Sequence, residues 1–473
     1  MSHRLAIFGG SFNPPGLHHR AIVERIASEV DEVVVVPCGP RPDKPSTEAV
    51  PGVHRAALAD LAFGSLPGVR VDLFDLEAST FTRTFALEER YGSEGDVWHV
   101  VGADLIAGGA RGQSEIQRQW ARGRELWSHL RFLVVPRPGC GISPGDLPPR
   151  GRLVDMTVEG RSSSIREALF RGEDDLPELS PEVRAYVLRH GLYRGLPPRR
   201  TTSLALPTLR PLVVADPLNP RARELAELIG LRCKEDQSCD GQRAAGPPNL
   251  VLVLGGDGTM LRAIRTHWRL RLPFFGVNTG HLGFLLNRDL PEIPGPPLTV
   301  EHLPLLWVQT ESLSGVTMES LAFNDAWVER ASGHAAWLRV TVDGQERISP
   351  LVADGALVAT AQGSPSYARA MGAQPLPMNT PSLLLVGSNV LRPAFWRPVV
   401  LPLYSSLELC TIDPDKRPLR GFVDGVDQGL VKRLTARVSR IAAVELAFSA
   451  AHHPAEKLAR IQFPLEPAQE GSA

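Results

Sequence analysis

The chain lacks the features that mark several classes of protein. It has five cysteines among 473 residues, and no two of them are spaced Cys-x-x-Cys. An odd, scattered set of this kind argues against a disulfide framework or a zinc site and is typical of reduced thiols in a cytosol. No apolar run approaches the roughly 20 residues that a membrane-spanning helix needs, and the first residues form a strand-like segment rather than a signal peptide. We therefore expect a cytoplasmic protein that does not bind a membrane.

Neither sign of charge is in excess. The sum of 51 Lys and Arg against 52 Asp and Glu leaves a formal net charge of −1, so the whole molecule does not attract nucleic acid. Any anionic ligand must be held by local groups. The chain also has no Gly-x-Gly-x-x-Gly turn followed about 20 residues later by an acidic residue, which argues against a Rossmann dehydrogenase.

Strand and helix signals alternate through the first half of the chain. Short apolar runs predict strands at Arg4–Phe8, Glu32–Val36, Val97–Val101 and Arg131–Val135, and apolar residues at every fourth position predict a helix over His18–Val30. A run of four valines suits a strand buried on both faces of a parallel sheet. Strand, helix and strand in succession build right-handed βαβ units, so we expect an α/β fold with a doubly wound parallel sheet.

The texture of the chain changes twice. Residues 196–209 contain prolines, arginines and small residues, which predicts an exposed linker between a first domain at 1–195 and a second domain at 210–473. Within the second domain, strand and helix signals over 210–295 predict an α/β lobe. Over 296–450 short β-like runs alternate with glycine and proline turns, which predicts a β-rich lobe.

The first informative motif follows the first predicted strand. Gly9-Gly10-Ser11-Phe12 and then His18-His19 lie between that strand and the predicted helix. A glycine-rich turn at a helix N-terminus presents free N–H groups and the positive end of the helix dipole to an anion, and glycines let a phosphate approach the backbone closely. From these residues alone, a tight turn with two solvated histidines is an equal alternative.

Together with later motifs, this segment resembles the nicotinate/nicotinamide mononucleotide adenylyltransferases. Their signature G-G-[ST]-F-[DN]-P-x-H-x-G-H is similar to residues 9–19, and Gly102-Ala103-Asp104 matches their G-A-D turn. Phe132–Gly139 resembles their second strand and R-P-G turn, Ser162–Arg166 their [ST]-S-T-x-I-R motif, and Pro181–Tyr193 their closing helix. This resemblance implies a nucleotidyltransferase domain that transfers the adenylyl group of ATP to a mononucleotide and releases pyrophosphate.

The resemblance also implies roles for individual residues. His19 and Arg166 are implied to be catalytic through their contacts with ATP phosphates. The implied nucleotide-binding residues are Gly9, Gly10, Ser11, Phe12, His18, Lys44, Thr82, Gly102, Asp104, Ser163 and Ile165. The reaction needs no covalent intermediate, because positioning and charge stabilisation suffice, with Mg²⁺ neutralising the phosphates.

One departure from that family concerns the histidines. The family has H-x-G-H, in which both histidines contact ATP phosphates, whereas this chain has Gly16-Leu17-His18-His19. His19 is retained, Gly16 replaces the first histidine, and His18 replaces the family glycine. Either His18 substitutes for the missing histidine, or turnover is weakened.

A second glycine turn follows the predicted strand Leu250–Leu254. It is Gly255-Gly256-Asp257-Gly258-Thr259, and a helix signal begins at Met260. A carboxylate inside an anion-binding turn suggests that it holds Mg²⁺ or accepts a proton from a hydroxyl. An Asp-Gly turn that only caps the helix is the alternative. The motif also occurs in lipid kinases and resembles a stretch of phosphofructokinases, so by itself it indicates a kinase superfamily and no more.

The residues that follow resemble the NAD kinases. Phe275–Leu285 is similar to their G-[IV]-N-x-G-x-L-G-F-L, Asn324-Asp325 to their N-[ED] pair, and Asp354–Tyr367 to their D-G-x-x-x-x-T-P-T-G-S-T-A-Y. The resemblance spans about residues 210–450. It implies that ATP phosphorylates the 2′-hydroxyl of the adenosine ribose of NAD, with Asp257 as the base or hydroxyl-orienting group.

The NAD kinase resemblance implies two further sets of residues. The implied ATP-binding residues are Gly255, Gly256, Gly258, Thr259 and Asn278. The implied NAD-binding residues are Asn324, Asp325, Asp354, Gly363, Ser364 and Tyr367. The resemblance also implies Mg²⁺ as cofactor and self-association through the kinase domain. Gln362 and other departures lie in the third motif, where they are expected to alter substrate preference or affinity.

Two hypotheses of different class follow. The first is a bifunctional enzyme that makes the dinucleotide and phosphorylates NAD; the second is a nucleotide-binding regulatory protein with one or both sites catalytically weakened. Gly16 and the altered third motif favour the second hypothesis, whereas the intact Gly255–Thr259 and Arg166 favour the first. For the adenylyltransferase we expect nicotinate mononucleotide as substrate, with nicotinamide mononucleotide as a serious rival.

Overall fold

Two units of structure follow each other along the chain. A computed structural model describes residues 3–238, 247–280, 283–450 and 454–463. The chain divides into Met1–Arg199 and Arg200–Ala473.

The first unit alternates strands and helices, as its apolar runs predict. Its elements are β1 (Arg4–Gly10), α1 (Leu17–Ala27), β2 (Glu32–Pro37), α2 (Gly52–Phe63), β3 (Val69–Val71), α3 (Phe74–Ala78), α4 (Thr84–Tyr91), β4 (Asp96–Gly102), α5 (Glu115–Gln119), α6 (Gly123–His129), β5 (Arg131–Val135), β6 (Gly151–Leu153), α7 (Ser162–Phe170) and α8 (Pro181–His190).

Within the described part of the first unit, six parallel strands form one sheet in the order β3-β2-β1-β4-β5-β6. The valines of β2 are buried, as a central parallel strand requires. One face of α1 buries Ile22, Val23 and Ile26. The doubly wound parallel sheet expected from the sequence is confirmed. In this order the chain reverses its winding between β1 and β4, and ligands of such sheets bind at the carboxyl ends of the strands at that point.

The second unit begins with mixed elements and continues with antiparallel strands. Its elements are β7 (Thr201–Leu204), β8 (Pro211–Ala215), α9 (Pro220–Ser238), β9 (Leu250–Gly255), α10 (Asp257–His267), β10 (Phe274–Asn278), β11 (Leu298–Ser312), β12 (Thr317–Ala322), β13 (Asp325–Arg330), β14 (Ala336–Val342), β15 (Gln345–Ala353), β16 (Gly355–Thr360), α11 (Tyr367–Ala370), β17 (Ser382–Ser388), β18 (Val399–Pro402), β19 (Leu407–Thr411), β20 (Leu419–Val423), β21 (Val426–Phe448) and α12 (Pro454–Gln462).

In the part of the second unit that the structure describes, its fifteen strands belong to one sheet. Strands β8, β9 and β10 are parallel, and helices pack on both faces, because Met260 of α10 packs with Val251 whereas Ala222 of α9 packs with Leu252. The long β11 and β21 pair antiparallel and continue from this lobe into the antiparallel part. The expected α/β lobe and β-rich lobe are both present, and these two strands connect them.

The predicted linker needs a correction. Thr201–Leu204, inside 196–209, is β7, which pairs antiparallel with β11. The Thr201 hydroxyl donates a hydrogen bond of 2.9 Å to the Glu301 carboxylate, and Leu206 joins an apolar core. The prolines on either side obscured this strand, although its two threonines are β-branched residues that favour pairing.

Among the described residues, no helix is both long enough and apolar enough to cross a membrane.

Candidate nucleotide sites

The first candidate site lies where the winding of the first sheet reverses. Gly10 ends β1, Gly102 ends β4, and the loop after Gly10 leads into the N-terminus of α1 at Leu17. The loop therefore combines the carboxyl ends of two central strands with the positive end of a helix dipole. These are the general conditions for binding a phosphorylated ligand.

Asn13 is the centre of the hydrogen bonds that hold this loop. Its side-chain amide donates to the Ser46 carbonyl at 2.7 Å, and the Tyr193 hydroxyl donates to its Oδ1 at 2.6 Å. Nη1 of Arg166 donates to its backbone carbonyl at 2.7 Å. The fold thus brings Arg166, more than 150 residues away in sequence, to the glycine loop.

A buried arginine supports the same loop from the other side. Nη2 of Arg55 donates to the Ser11 carbonyl at 2.7 Å, and the residue is 2% exposed. A buried guanidinium is costly unless it is well hydrogen-bonded, so this contact ties the loop to α2. The sequence analysis assigned no role to Arg55 or Asn13.

The two histidines of the motif lie side by side at the start of α1. Nδ1 of His19 accepts the Gly16 N–H at 3.1 Å, so the neutral ring carries its proton on Nε2, where it can donate to an anion. Desolvation, with smaller contributions from His18 and Arg137, lowers the pKa of His19 well below its usual range. The centroids of the His18 and His19 rings are 3.9 Å apart. Desolvation and, to a smaller extent, the charge of Arg137 lower the pKa of His18 as well.

The imidazole of His18 occupies the space that a side chain at position 16 would need. A Cβ on Gly16 would lie 2.7 Å from Cε1 and Nδ1 of His18. A Cβ on Gly160, whose φ of +139° favours glycine, would lie 2.6 Å from Nδ1 of the same ring. This geometry supports the substitution of His18 for the histidine missing at position 16.

Arg137, the arginine of the R-P-G turn, is a charged residue of this site to which the sequence analysis assigned no role. Its Nε lies 3.0 Å from Oδ1 of Asp104, and a Cβ on Gly102 would overlap both side chains. Gly102 is thus required for the packing of this ion pair, and the Asp104 carboxylate is shared with Arg137. The position of Arg137 just after β5, at the carboxyl end of the sheet, was the available signal.

Several predicted nucleotide-binding residues are placed differently. Phe12 is 2% exposed and packs edge-on against Phe8 and Phe63, and Ile165 is also 2% exposed. Their side chains belong to the core, so any contact with a ligand is limited to their backbones. The Thr82 hydroxyl donates to Oδ1 of the buried Asp75 at 2.6 Å, which commits it to the protein. Lys44 and Ser163 are exposed.

The second candidate site lies at the N-terminus of α10. Asp257 is the first residue of that helix, and Gly256 is its N-cap. Oδ2 of Asp257 accepts the Phe284 N–H at 3.0 Å, and Oδ1 accepts the Leu285 N–H at 2.9 Å. Two backbone amides therefore fix the orientation of the carboxylate, and each oxygen keeps a lone pair for a further partner.

The glycines of this turn have different tasks. A Cβ on Gly255 would lie 2.5 Å from Oγ1 of Thr259, so this glycine makes room for the threonine. A Cβ on Gly256 or Gly258 would have no described atom within 4 Å. With respect to the residues that the structure describes, the backbone at these two positions is therefore open to a ligand. Oδ1 of Asn278 accepts the Gly280 N–H at 3.0 Å, and the motif residues 281–282 lie outside the described part of the chain.

A buried pair of carboxyl groups lies next to Asn324. Asp424 accepts the N–H groups of Phe323, Asn324 and Asp325 at 2.7, 2.8 and 3.1 Å. Burial raises the pKa of Asp424 above its usual range, and the three amide donors oppose that rise. Burial, together with the charge of Asp424, raises the pKa of Asp325 to about 8. The carboxyl group of Asp325 is therefore protonated at neutral pH.

Asn324 offers an atom that the described protein does not satisfy. Its Oδ1 is buried and has no hydrogen-bond partner among the described residues, and Oγ1 of Thr279 is in the same condition. Buried polar atoms in native proteins normally have partners. A hydroxyl or amide group of a ligand could donate the hydrogen bond that Oδ1 of Asn324 lacks.

The third kinase motif is mostly structural around Asn324. A Cβ on Gly363 would overlap the Asn324 backbone. The fully buried Ser364 hydroxyl donates to the Ala361 carbonyl at 2.6 Å and accepts the Leu376 N–H at 2.7 Å. The Gln362 side chain is buried and donates to the Pro304 carbonyl at 2.8 Å. The Ser364 and Gln362 side chains are therefore hydrogen-bonded within the protein, and Gly363 makes room for the Asn324 backbone. These residues support the site rather than line it.

Tyr367 packs against a residue of β13, whereas Asp354 lies at the far end of β16 from the Asn324–Asp325 pair. The Tyr367 ring is partly exposed and lies 4.9 Å from that of Trp327 on β13. Asp354 precedes β16, and Gly355 pairs with Glu329 whereas Ala359 pairs with Asp325. Four residues of strand, about 14 Å, separate the two ends. Within the described unit, Asp354 is therefore not brought to the Asn324–Asp325 pair; it accepts hydrogen bonds of 2.7 Å from Arg330 and Asn389.

Comparison with known proteins relates the N-terminal and C-terminal parts of the chain to two different families. The family model for cytidylyltransferase-like proteins matches residues 7–171, and the model for the ATP-NAD kinase N-terminal domain matches residues 241–295. The NAD kinase of Rickettsia bellii is 34% identical over 228 residues, which are 48% of this chain and 88% of that protein. The NAD kinase of Brucella suis is 32% identical over 235 residues, 47% of this chain and 88% of that protein.

A solved structure of yeast NADH kinase complexed with NADH is similar to 56% of this chain and 90% of its own, with a TM-score of 0.47 and 18% identity. The Rickettsia relative is matched over most of its length at substantial identity, and the match lies in the C-terminal half. The chain therefore belongs to the NAD kinase family and carries a cytidylyltransferase-like domain in its N-terminal unit.

Proposed function

We propose that the second unit transfers the γ-phosphoryl group of ATP to the 2′-hydroxyl of the adenosine ribose of NAD. The observation that carries this proposal is the carboxylate of Asp257, held by two backbone amides at the start of α10 beside the open backbone of Gly256 and Gly258. The open glycines admit the phosphates of ATP. The oriented carboxylate takes the proton of the attacking hydroxyl as the new P–O bond forms. The bond between the γ-phosphorus and the bridging oxygen breaks, and ADP leaves.

Asn324 and Asp325 would hold NAD in this reaction. The unsatisfied Oδ1 of Asn324 is an acceptor for a ligand hydroxyl or amide. Asp325, neutral at pH 7 because of its raised pKa, is a donor. An acceptor and a donor on adjacent residues suit a ribose or carboxamide, and the partly exposed ring of Tyr367 suits a flat base.

For the first unit we propose adenylyl transfer from ATP to nicotinate mononucleotide. The 5′-phosphate of the mononucleotide attacks the α-phosphorus of ATP, and pyrophosphate leaves. His19 would donate from Nε2, and Arg166 would provide a guanidinium beside the loop; both stabilise charge that develops on the phosphates. His18 adds another donor at the same helix N-terminus, and Arg137 adds a positive charge that acts on both histidines.

Mg²⁺ would enter both reactions as the magnesium complex of ATP. Among the described residues, no cluster of three or more His, Cys, Asp or Glu side chains could form a protein cage for a metal. Magnesium sites usually consist of one or two carboxylates plus substrate phosphates and waters. In the second unit the phosphates of ATP and water would then hold the ion, because the carboxylate of Asp257 is assigned to the attacking hydroxyl. The ion would neutralise the transferred phosphoryl group.

The choice of the acid mononucleotide is supported by charge near the carboxyl end of β2. Arg41 lies in the loop that follows this strand, and its guanidinium is 4.7 Å from the centroid of the Phe81 ring. A nicotinate carboxylate needs a positive charge or a donor, which a carboxamide does not. Asp43 shares the charge of Arg41 through an ion pair, and nicotinamide mononucleotide stays the rival substrate.

One experiment separates the proposals. The purified chain is incubated with MgATP and nicotinate mononucleotide, nicotinamide mononucleotide or NAD, and the products are resolved by chromatography. We expect the acid dinucleotide from the first substrate and NADP from the third. A regulatory protein would bind these ligands without turnover. A tenfold higher kcat/KM for the amide would overturn the choice of nicotinate mononucleotide.

Self-association through the kinase unit remains a prediction from the family resemblance. Light scattering on the purified chain measures it directly, and a monomeric mass at micromolar concentration would contradict it.

A further inference from the structure

A lysine in the last described helix faces the loop that orients Asp257. Nζ of Lys457, on α12, donates to the Gly283 carbonyl at 3.0 Å and the Phe284 carbonyl at 3.4 Å, and also contacts the Leu286 carbonyl. The N–H groups of the same loop, at Phe284 and Leu285, donate to Asp257. A positive charge and a negative charge therefore contact the two sides of one short segment.

The same two peptide groups make both sets of contacts. The peptide between Gly283 and Phe284 directs its carbonyl to Lys457 and its N–H to Oδ2 of Asp257. The peptide between Phe284 and Leu285 directs its carbonyl to Lys457 and its N–H to Oδ1. The C=O and N–H of a trans peptide point in opposite directions, so each peptide dipole is aligned between the ammonium and the carboxylate.

This alignment strengthens both hydrogen bonds of each peptide. A charge on the carbonyl oxygen polarises the peptide and makes its N–H a better donor, and hydrogen bonds arranged in series reinforce one another. A bond to a charged group is also stronger than a neutral one. Lys457 therefore acts on the orientation of Asp257 through two peptide groups, without touching the carboxylate.

The helix that carries the lysine is itself anchored. Leu458 is buried, and Nε2 of Gln462 donates to the Pro375 carbonyl at 3.0 Å. Nζ of Lys457 lies 5.9 Å from the centroid of the Phe448 ring at the end of β21. These contacts hold the helix so that the ammonium lies beside the loop.

We propose that Lys457 is a positioning residue for the kinase reaction, acting through the peptides of residues 283–285 on Asp257. This inference rests on the proposed role of Asp257 in phosphoryl transfer. It predicts that removing the charge of Lys457 lowers turnover but not the binding of NAD. The Asp257 carboxylate would lose its alignment, whereas Asn324 would keep its position.

Three variants test the proposal in the full chain. Lys457→Met removes the charge, Lys457→Arg keeps it, and Lys416→Met removes an exposed lysine from the turn between β19 and β20 as a matched control. We expect Lys457→Met to lower kcat for NADP formation about tenfold, because small misplacements of a catalytic group are costly. KM for NAD should stay within about twofold, Lys457→Arg should recover most of the turnover, and the control should match the wild type.

A second readout follows the loop itself. Hydrogen–deuterium exchange of the peptide containing Phe284 and Leu285 should be faster in Lys457→Met than in Lys457→Arg. Unchanged kcat and exchange in Lys457→Met would overturn the positioning role. So would a kcat loss accompanied by an equal rise in KM and a lowered melting temperature in both Lys457 variants, which would indicate a structural role only. If the wild type itself makes no NADP, the proposed kinase function fails, independently of Lys457.

Discussion

This chain has Gly16 where the family motif has a histidine and His18 where the motif has a glycine. The role of His18 can be tested by removing or moving its imidazole. If His18 supplies the donor that is missing at position 16, then His18→Ala should impair adenylyl transfer about as much as His19→Ala. Removing one donor to developing charge typically costs about 10²–10³ in kcat. Because His18 is half-buried and keeps some contact with solvent, we expect the low end of that range.

The structure also predicts the effect of adding a single carbon. In Gly16→Ala the new Cβ would lie 2.7 Å from the His18 ring, well inside van der Waals contact, so the ring must move by roughly 1 Å. Misplacement on that scale can cost about 10²-fold. The double exchange Gly16→His with His18→Gly restores one imidazole to the space and should recover most of the activity lost in Gly16→Ala.

The assay is the release of pyrophosphate from MgATP and nicotinate mononucleotide, with His129→Ala as an exposed control. Melting temperatures identify variants that fold poorly. Wild-type kcat/KM in His18→Ala would show that one histidine suffices. Wild-type activity in Gly16→Ala would show that the position of the His18 ring does not matter, and either result would refute the reasoning.

Three further predictions concern other parts of the chain. Asp257→Asn should abolish NADP formation and leave adenylyl transfer intact in a coupled chromatographic assay; near-normal kinase turnover would disprove the role of this carboxylate. The pKa of Asp325 rises from 3.8 to about 8 on folding, so the unfolded chain ionises first and the folded unit loses stability between pH 4 and pH 8. Asp325→Asn should therefore raise the melting temperature more at pH 8 than at pH 5, and an equal shift at both would contradict the assignment. A chain cut before Thr201 should give two pieces that fold and act separately, whereas a cut after Leu204 should destabilise the second piece by removing β7 from β11; melting and activity of the pieces decide this.

The sequence alone located both candidate sites, because their defining features are local. A strand, a glycine turn and a helix start within a dozen residues place Gly9–His19 and Gly255–Thr259 at helix N-termini, and the structure has helices beginning at Leu17 and Asp257. Runs of β-branched and apolar residues likewise predicted the parallel strands, since strands buried on both faces are typically near-continuous apolar runs.

Contacts between distant segments were decided only by the tertiary structure. The pattern around Phe12 and Ile165 could not show that their side chains join the core. The position of Arg137 after a strand could place it at the carboxyl end of the sheet, but it could not show that Asp104 is its partner. Lys457 lies 200 residues after Asp257, yet both contact the same two peptides. Periodicity determines which face of an element is apolar; which side chains meet depends on how the elements pack, and that information is spread over the whole chain.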